Sequence, residues 1–327
     1  LGGRSIINLV TINGGTLTGG SFDVGQLVAT SGTVSAVLTG TAGLTTAGNV
    51  ALNAANTFSG EVNVAGGTVT LGNASALGSS ANTLNVAGSG AVDLNGRAVT
   101  VAGLAGAGAV TGAAGSTVTL GGSTDTTFSG AIGGALALSK TGTGNQTLGG
   151  ASTFTGGTTV TGGTLAVTDN AALGTGAVTI NGGTVNLTTT TVTNSVTLVN
   201  GSLLGGTVDI ATALNAQGGT ISSVLAGVGS LSKTTTGVLT LQGANTYAGG
   251  TTIAGGTVTL GSATALGSGL TTLTGGTLDL NGQAFGTTIA VNGGTLTGGT
   301  LDVAQLTSVQ SGTILAILTG TGGLTKT

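Results

Sequence analysis

The ionisable residues of this chain are few enough to name, and they bound the chemistry open to it. The carboxylates are Asp23, Glu61, Asp93, Asp125, Asp169, Asp209, Asp279 and Asp302; the bases are Arg4, Arg97, Lys140, Lys233 and Lys326. With no His and no Cys, a histidine-based triad, a thiol nucleophile and an imidazole or thiolate metal site are all excluded. What is left is paired-carboxylate chemistry, which on a glycosidic bond needs two acids about 5–9.5 Å apart. Gly-x-Gly-x-x-Gly strings arise by chance among 69 glycines, and none opens a helix as a dinucleotide cradle requires. Calcium-binding nonapeptides need an Asp recurring beside the Gly pairs, and that Asp is missing. The sequence therefore assigns no catalytic, no cofactor-binding and no metal-ligating residue, and implies no cofactor.

Whether any two acids can meet depends on the elements that carry them, and these are repetitive. LSKTTTGVLTLQGANTYAGGTTIAGGTVTLGSATALG from Leu231 realigns with LSKTGTGNQTLGGASTFTGGTTVTGGTLAVTDNAALG from Leu138, and LTKT reopens the pattern at Leu324, each step being 93 residues. INGGTLTGGSFDVGQL from Ile12 returns as VNGGTLTGGTLDVAQL from Val291, three such units later. The copies run 1–43 (partial), 44–137, 138–230, 231–323 and 324–327, the start of a further one. Within a unit, Gly-Gly-Thr turns at Gly255, Gly275 and Gly293 fall 20 and 18 residues apart. Five such steps fill the unit, so the elementary module is a coil of roughly 18–20 residues, a length suited to a β-solenoid.

This periodicity separates the charges. Asp23, Asp209 and Asp302 share one repeat position, and Asp93 and Asp279 another; equivalent positions lie about five coils apart, on the order of 24 Å. That is too far for a glycosidic pair, and the acids are read as turn or solvated-face residues. Lys140, Lys233 and Lys326 are one position in successive units, as are Arg4 and Arg97, with Gln283 in a later copy. A charge recurring once per unit reads as a solubility or register device. Phe58, Phe154 and Tyr247 also correspond, and five coils between neighbours make them core or corner fillers instead of a stacking platform.

The local pattern is that of strands. In Thr257-Val258-Thr259-Leu260 the aliphatic residues fall on one face and the threonines on the other; inward Val and Leu are expected to stack from coil to coil and outward Thr to form hydroxyl ladders. Asn-Gly-Gly at Asn13, Asn181 and Asn292 supplies residues that tolerate positive φ and marks corners. The absence of Pro fits interior coils that must offer every N–H to the next, and so much Gly argues against helix. The expected fold is all-β: a right-handed parallel β-helix, one continuous solenoid over residues 1–327.

At GVLTLQGANTYAGGTTIAGGTVTLGSATALGSG, Gly237 to Gly269, the chain resembles the autotransporter-associated β-strand repeat, also called the passenger-associated transport repeat. NTFSGEVNVAGGTVTLGNASALGSS and FSGAIGGALALSKTGTG follow the same pattern. The resemblance implies a passenger of a bacterial type V secretion protein or a giant surface protein, forming a β-helix outside the cell at the outer-membrane-associated surface. It carries no catalytic residues to transfer.

The expected function is a non-enzymatic structural or adhesive stalk, or a filament-forming segment. The alternatives are an ice- or surface-binding Thr ladder and a polysaccharide-active β-helix enzyme. Self-association, end to end or lateral, is the expected partnership, with cell-surface or matrix glycans as further partners. A net charge of −3 with five basic residues gives no footprint for nucleic acid, and no apolar run reaches the ~18–20 residues of a membrane span. The chain opens inside a repeat without an initiator Met, so it is expected to be a segment of something longer.

Overall fold

The chain, described from residue 5 to residue 321 by a computed structural model, is an all-β parallel solenoid. The two-residue alternation drives it. In Thr257–Leu260, Val258 and Leu260 are buried and both threonines are half-exposed, and Thr117–Leu120 repeats the pattern. The described helix is a single 3-10 turn, Val303–Gln305, entered through Asp302, whose carboxylate accepts the Ala304 N–H at 2.9 Å.

Contacts divide the chain into two compact units, the first ending at Gly176 and the second beginning at Ala177. The first is built on three parallel ladders. One stacks Ala98–Val101, Thr117–Leu120, Ala137–Lys140 and Thr158–Val160. Another stacks Gly67–Leu71, Gly90–Asp93, Ala109–Gly112 and Ala131–Gly134. The last stacks Thr126–Phe128, Asn145–Leu148 and Thr164–Val167.

In the second unit, Ser230–Lys233, Thr251–Ile253 and Thr271–Leu273 form one stack, and Val238–Leu241, Thr257–Leu260 and Thr277–Asp279 its neighbour. Both continue onto the single long strand Ile289–Thr297, which pairs with Leu306–Ile314. Two short ladders complete the unit: Thr191–Val192 with Thr207–Asp209 and Val224–Ala226, and Ala284–Phe285 with Thr300–Asp302 and Ile317–Thr319.

Coil length varies more than the expected 18–20 residues. The step is 16 from Ala284 to Thr300 and 23 from Val69 to Val92. The ladder constrains only the strands, so residues added at a corner loop outward without disturbing register. The Asn-Gly-Gly corners also differ from simple strand ends. Pairing continues through Asn13, Asn181 and Asn292 with a register shift at each, and Gly14, Gly182 and Gly294 take φ of 86°, 113° and 68°. They are bends inside continuous strands, the φ > 0 residue turning the chain while its neighbours stay hydrogen-bonded.

Candidate functional site

The eight acids stand where the repeat arithmetic put them, at turns and on the solvated face, and each is exposed or half-exposed. Asp93, Asp169 and Asp279 accept the N–H of the residue two further on, Asn95, Ala171 and Asn281, at 2.8–2.9 Å. Asp125 accepts Asn145 N–H from the coil above at 2.8 Å. Asp93 is paired with Thr70 and Thr111, and Asp279 with Thr259 and Thr297; Asp209 pairs with Ala226 and Asp302 with Thr319. No acid in these ladders has an acid at the paired position. Among the described residues no three acids gather as a metal site would need.

The lysines require a correction. Lys140 and Lys233 are not solubility charges: they are 2% and 0% exposed. Lys140 is the inward residue of its strand, between Leu120 and Val160 in the same column. The long stem fills the core while the ammonium reaches the corner and donates to Gly142 O. Lys233 does the same, donating to Thr235 O and, at 3.2 Å, to Gly255 O in the next coil. Its Nζ lies where a Cβ on Gly256 would fall, at 2.5 Å, and Lys140 Nζ stands 2.8 Å from the same point on Gly163. Burial pushes both ammonium pKa values down, opposed at Lys140 by the nearby Asp125 charge. Of the other bases, Arg97 is exposed, and the neutral Gln283 that takes its place in a later copy is half-exposed; Arg4 and Lys326 lie outside the described residues.

Phe58, Phe154 and Tyr247 are buried, at 1%, 0% and 0% exposure, as corner fillers should be. Each supports the Gly of an Ala-Leu-Gly turn one coil later. A Cβ on Gly78 would lie 3.1 Å from the Phe58 ring, and one on Gly267 would lie 3.1 Å from the Tyr247 ring. The Tyr247 hydroxyl is hydrogen-bonded to Thr251 Oγ1 inside the core, and burial holds its pKa well above the ordinary tyrosine value.

Two residues before each aromatic lies a group that the sequence reading passed over. Asn56 accepts Leu38 N–H at 2.9 Å from the coil below and donates to Ala76 O at 2.7 Å in the coil above. Asn245 repeats this with Leu225 N–H at 2.8 Å and Ala265 O at 2.6 Å. Each amide thus ties three successive coils together. In the intervening copy Ser152 accepts Ile132 N–H at 3.1 Å but turns its own hydrogen to Gly150 O, being too short to span. Gln146 is a further tie, its Nε2 donating to Leu104 O at 2.9 Å while its Oε1 accepts Leu104 N–H at 3.0 Å. The signal was available: Asn-Thr-Phe, Ser-Thr-Phe and Asn-Thr-Tyr share one repeat position.

Outward threonines stack in register, as in Thr257, Thr277, Thr295 and Thr313, beside Thr220, Thr240, Thr259, Asp279 and Thr297. The corner hydroxyls bond to carbonyls one coil back: Thr30 to Ile12 O at 3.2 Å, Thr39 to Phe22 O at 3.2 Å and Thr307 to Ile289 O at 3.0 Å. These are hydroxyl-to-backbone clamps between coils. Two concavities among the described residues are lined by uncharged side chains. One of about 430 Å³ in the first unit is lined by Gly121, Gly122, Ser123, Thr124 and Gly142, and one of about 230 Å³ in the second by Val208, Ile210 and Leu214.

The model of the Passenger-associated-transport-repeat family matches residues 47–71, 138–167 and 231–260. Those segments hold the buried Lys140 and Lys233, the ties Asn56 and Asn245 with Ser152 at the equivalent position, and the three aromatics. A protein described as "Adhesin BmaC autotransporter", from Brucella suis biovar 1 (strain 1330), is 40% identical over 100 residues, covering 28% of this chain and 3% of that protein. The chain therefore spans a small part of the length of this curated relative. No solved structure matches.

Proposed function

From a chain that carries three passenger-associated-transport-repeats, we propose a non-enzymatic structural or adhesive stalk segment of a secreted bacterial surface protein, displayed outside the cell. The observation that carries the reading is where the polar chemistry points. Asn56, Asn245, Lys140 and Lys233 are buried and bond to backbone of their own or neighbouring coils, and buried Gln146 bonds to backbone two coils back. The carboxylates that accept turn N–H groups stand singly in their ladders. Such an arrangement suits a stiff scaffold, and among the described residues no three acids gather. The Brucella relative's description as an autotransporter adhesin supports the same reading. The 93-residue unit is on this view the building block, with 44–137, 138–230 and 231–323 as copies of one continuous solenoid.

The test is protease shaving of intact cells that express the full-length protein, followed by adhesion assays with and without the repeat segment. Loss of the segment's peptides from the surface and reduced attachment or fibre formation are expected. Retention inside the cell, or turnover of a polysaccharide by the purified chain, overturns the proposal. Self-association is its second part: sedimentation at high concentration should show end-to-end or lateral oligomers, and strict monomers defeat that part. Cell-surface or matrix glycans are the ligand class proposed for an adhesive face, to be probed with glycan arrays.

One observation favours a second reading, binding to ice or another regular surface. The Thr257, Thr277, Thr295, Thr313 column is paired in unbroken register. Its neighbour, however, is broken by Asp279, which weakens any lattice match. Absence of thermal hysteresis removes this reading.

A further inference from the structure

The chain contains six Asn-Gly dipeptides, at Asn13, Asn95, Asn181, Asn200, Asn281 and Asn292. Asn followed by Gly is the thermolabile pair of proteins, because the unhindered Gly nitrogen can attack the preceding side-chain amide. The fold treats these pairs unequally. At Asn281 the side-chain Nδ2 donates to Leu260 O at 3.1 Å, and the Gly282 N–H is taken by Gly298 O at 2.9 Å. At Asn95 the Nδ2 donates to Leu71 O at 3.2 Å, and the Gly96 N–H is taken by Ser116 Oγ at 3.0 Å. In both, the nucleophile is directed away from the amide and the leaving nitrogen is tied to the previous coil.

Asn200 is arranged the opposite way. The Gly201 N–H donates to the Oδ1 of Asn200 itself, at 2.8 Å, which holds the nucleophilic nitrogen against the amide it would attack and polarises that carbonyl. Asn200 is exposed to solvent base, and Gly201 sits at φ 100°. Gly183 O occupies the place where a Cβ on residue 201 would go, so the fold itself demands the unhindered residue. We propose that Asn200-Gly201 is a site of spontaneous covalent modification, deamidation through a succinimide, with water as the only co-reactant.

The step balances. Base removes the Gly201 amide proton, the nitrogen bonds to Asn200 Cγ, and the Cγ–Nδ2 bond breaks, releasing ammonia with the proton. Water then opens the ring at either carbonyl, leaving aspartate or isoaspartate at position 200. Either product adds a negative charge to a corner where Asn181 is the register partner, on a chain with formal charge −3. The isoaspartate branch also inserts a methylene into the main chain of Val196–Leu204, at the point where its pairing already shifts register.

The experiment is incubation of the folded chain in mildly alkaline buffer, with timed peptide mapping by mass spectrometry and labelling by an isoaspartate-specific carboxyl methyltransferase. Position 200 should convert faster than positions 95 and 281 by at least about tenfold, the weight of one hydrogen bond. In denaturant the three should converge. Asn200→Gln, whose imide ring is larger by one atom, should abolish the signal at that position. Equal rates at the three positions in the folded chain overturn the proposal, as does an intact Asn200 under conditions that convert it in the unfolded chain.

Discussion

The amide tie at Asn245 offers the sharpest test of how this solenoid is held together. Asn245→Ala removes an acceptor from Leu225 N–H and a donor from Ala265 O, bonds of 2.8 and 2.6 Å in a core where Asn245 is 3% exposed. Each orphaned buried group costs about 1–3 kcal/mol, so losing both should cost roughly 2–6 kcal/mol. Asn245→Ser should cost about half of that, because Ser152 in the equivalent place keeps the N–H bond from the coil below and loses only the upward one. By the same reasoning Ser152→Asn should stabilise its copy by roughly 1 kcal/mol.

Because each coil of a solenoid contacts only its neighbours, the loss should stay local. Native-state hydrogen exchange resolved by peptide is therefore the assay, and one global midpoint would dilute the effect. Peptides covering residues 225 and 265 should exchange about a hundredfold faster in Asn245→Ala, the conversion of about 3 kcal/mol. Peptides near residue 118 should be unchanged. If Ala and Ser behave alike, or protection is lost evenly along the chain, the tie is not what couples the coils.

Three more substitutions follow from the same internal comparison of copies. Thr158→Val should stabilise the first unit by about 1 kcal/mol in denaturant titration, since the buried Thr158 hydroxyl has no partner and an orphaned hydroxyl is costly; Val62 already occupies that repeat position. Gly267→Ala should destabilise by roughly 2–3 kcal/mol, because φ is 69° and the new methyl meets both Tyr247 O and its ring; thermal melting of the variant checks it. Lys233→Met should flatten a pH dependence. Burial lowers the folded pKa below 10.5, so between that folded value and 10.5 the unfolded chain holds the extra proton and wild-type stability rises with pH. Tyr247 acts oppositely above 10.0, where the unfolded chain releases a proton that the folded one keeps. It does so in both proteins, so the wild-type minus variant difference in denaturation midpoint isolates the lysine; an unchanged slope refutes its assignment.

Much of this was legible in the residues, and for a physical reason. Val258 and Leu260 announce the inward face because strand periodicity is two, and the recurrence at Leu138, Leu231 and Leu324 fixes the long unit. Of the two roles expected of the lysines, solubility or register, burial of Lys140 and Lys233 removes the first, which charge suggests as the expected mark of a surface. What hid Lys140 was its stem, which packs as an aliphatic column residue while only the ammonium tip needs a carbonyl; that carbonyl comes from a corner two residues away, and at Lys233 a second comes from the next coil. Asn245 is legible only as a recurring position two residues before an aromatic, because its partners, Leu225 and Ala265, are backbone groups twenty residues to either side whose residue types do not signal the bond. The scatter of coil length about 18–20 residues was hidden for a related reason, since ladders fix strands and leave corners free.

The buried polar residues also answer a difficulty that this composition creates. A column of Val, Leu and Ile is nearly indifferent to which coil lies above it, so aliphatic burial alone leaves a slip by one whole coil almost degenerate. The ties remove that degeneracy. Asn245 needs a carbonyl turned inward, and the turn that presents Ala265 O, closed by Ala265 N–H to Ser262 O and Gly267 N–H to Thr264 O, is paralleled at Ala76 and Ala172, once in each unit. A slipped coil would bury the amide without that acceptor, and Lys233 without Gly255 O. Such specification by buried polar groups is known where register must be unique. It assigns the Asn and Lys positions to alignment of the coils, which leaves the outward Thr, Ser and Gly positions of each coil free to differ between copies.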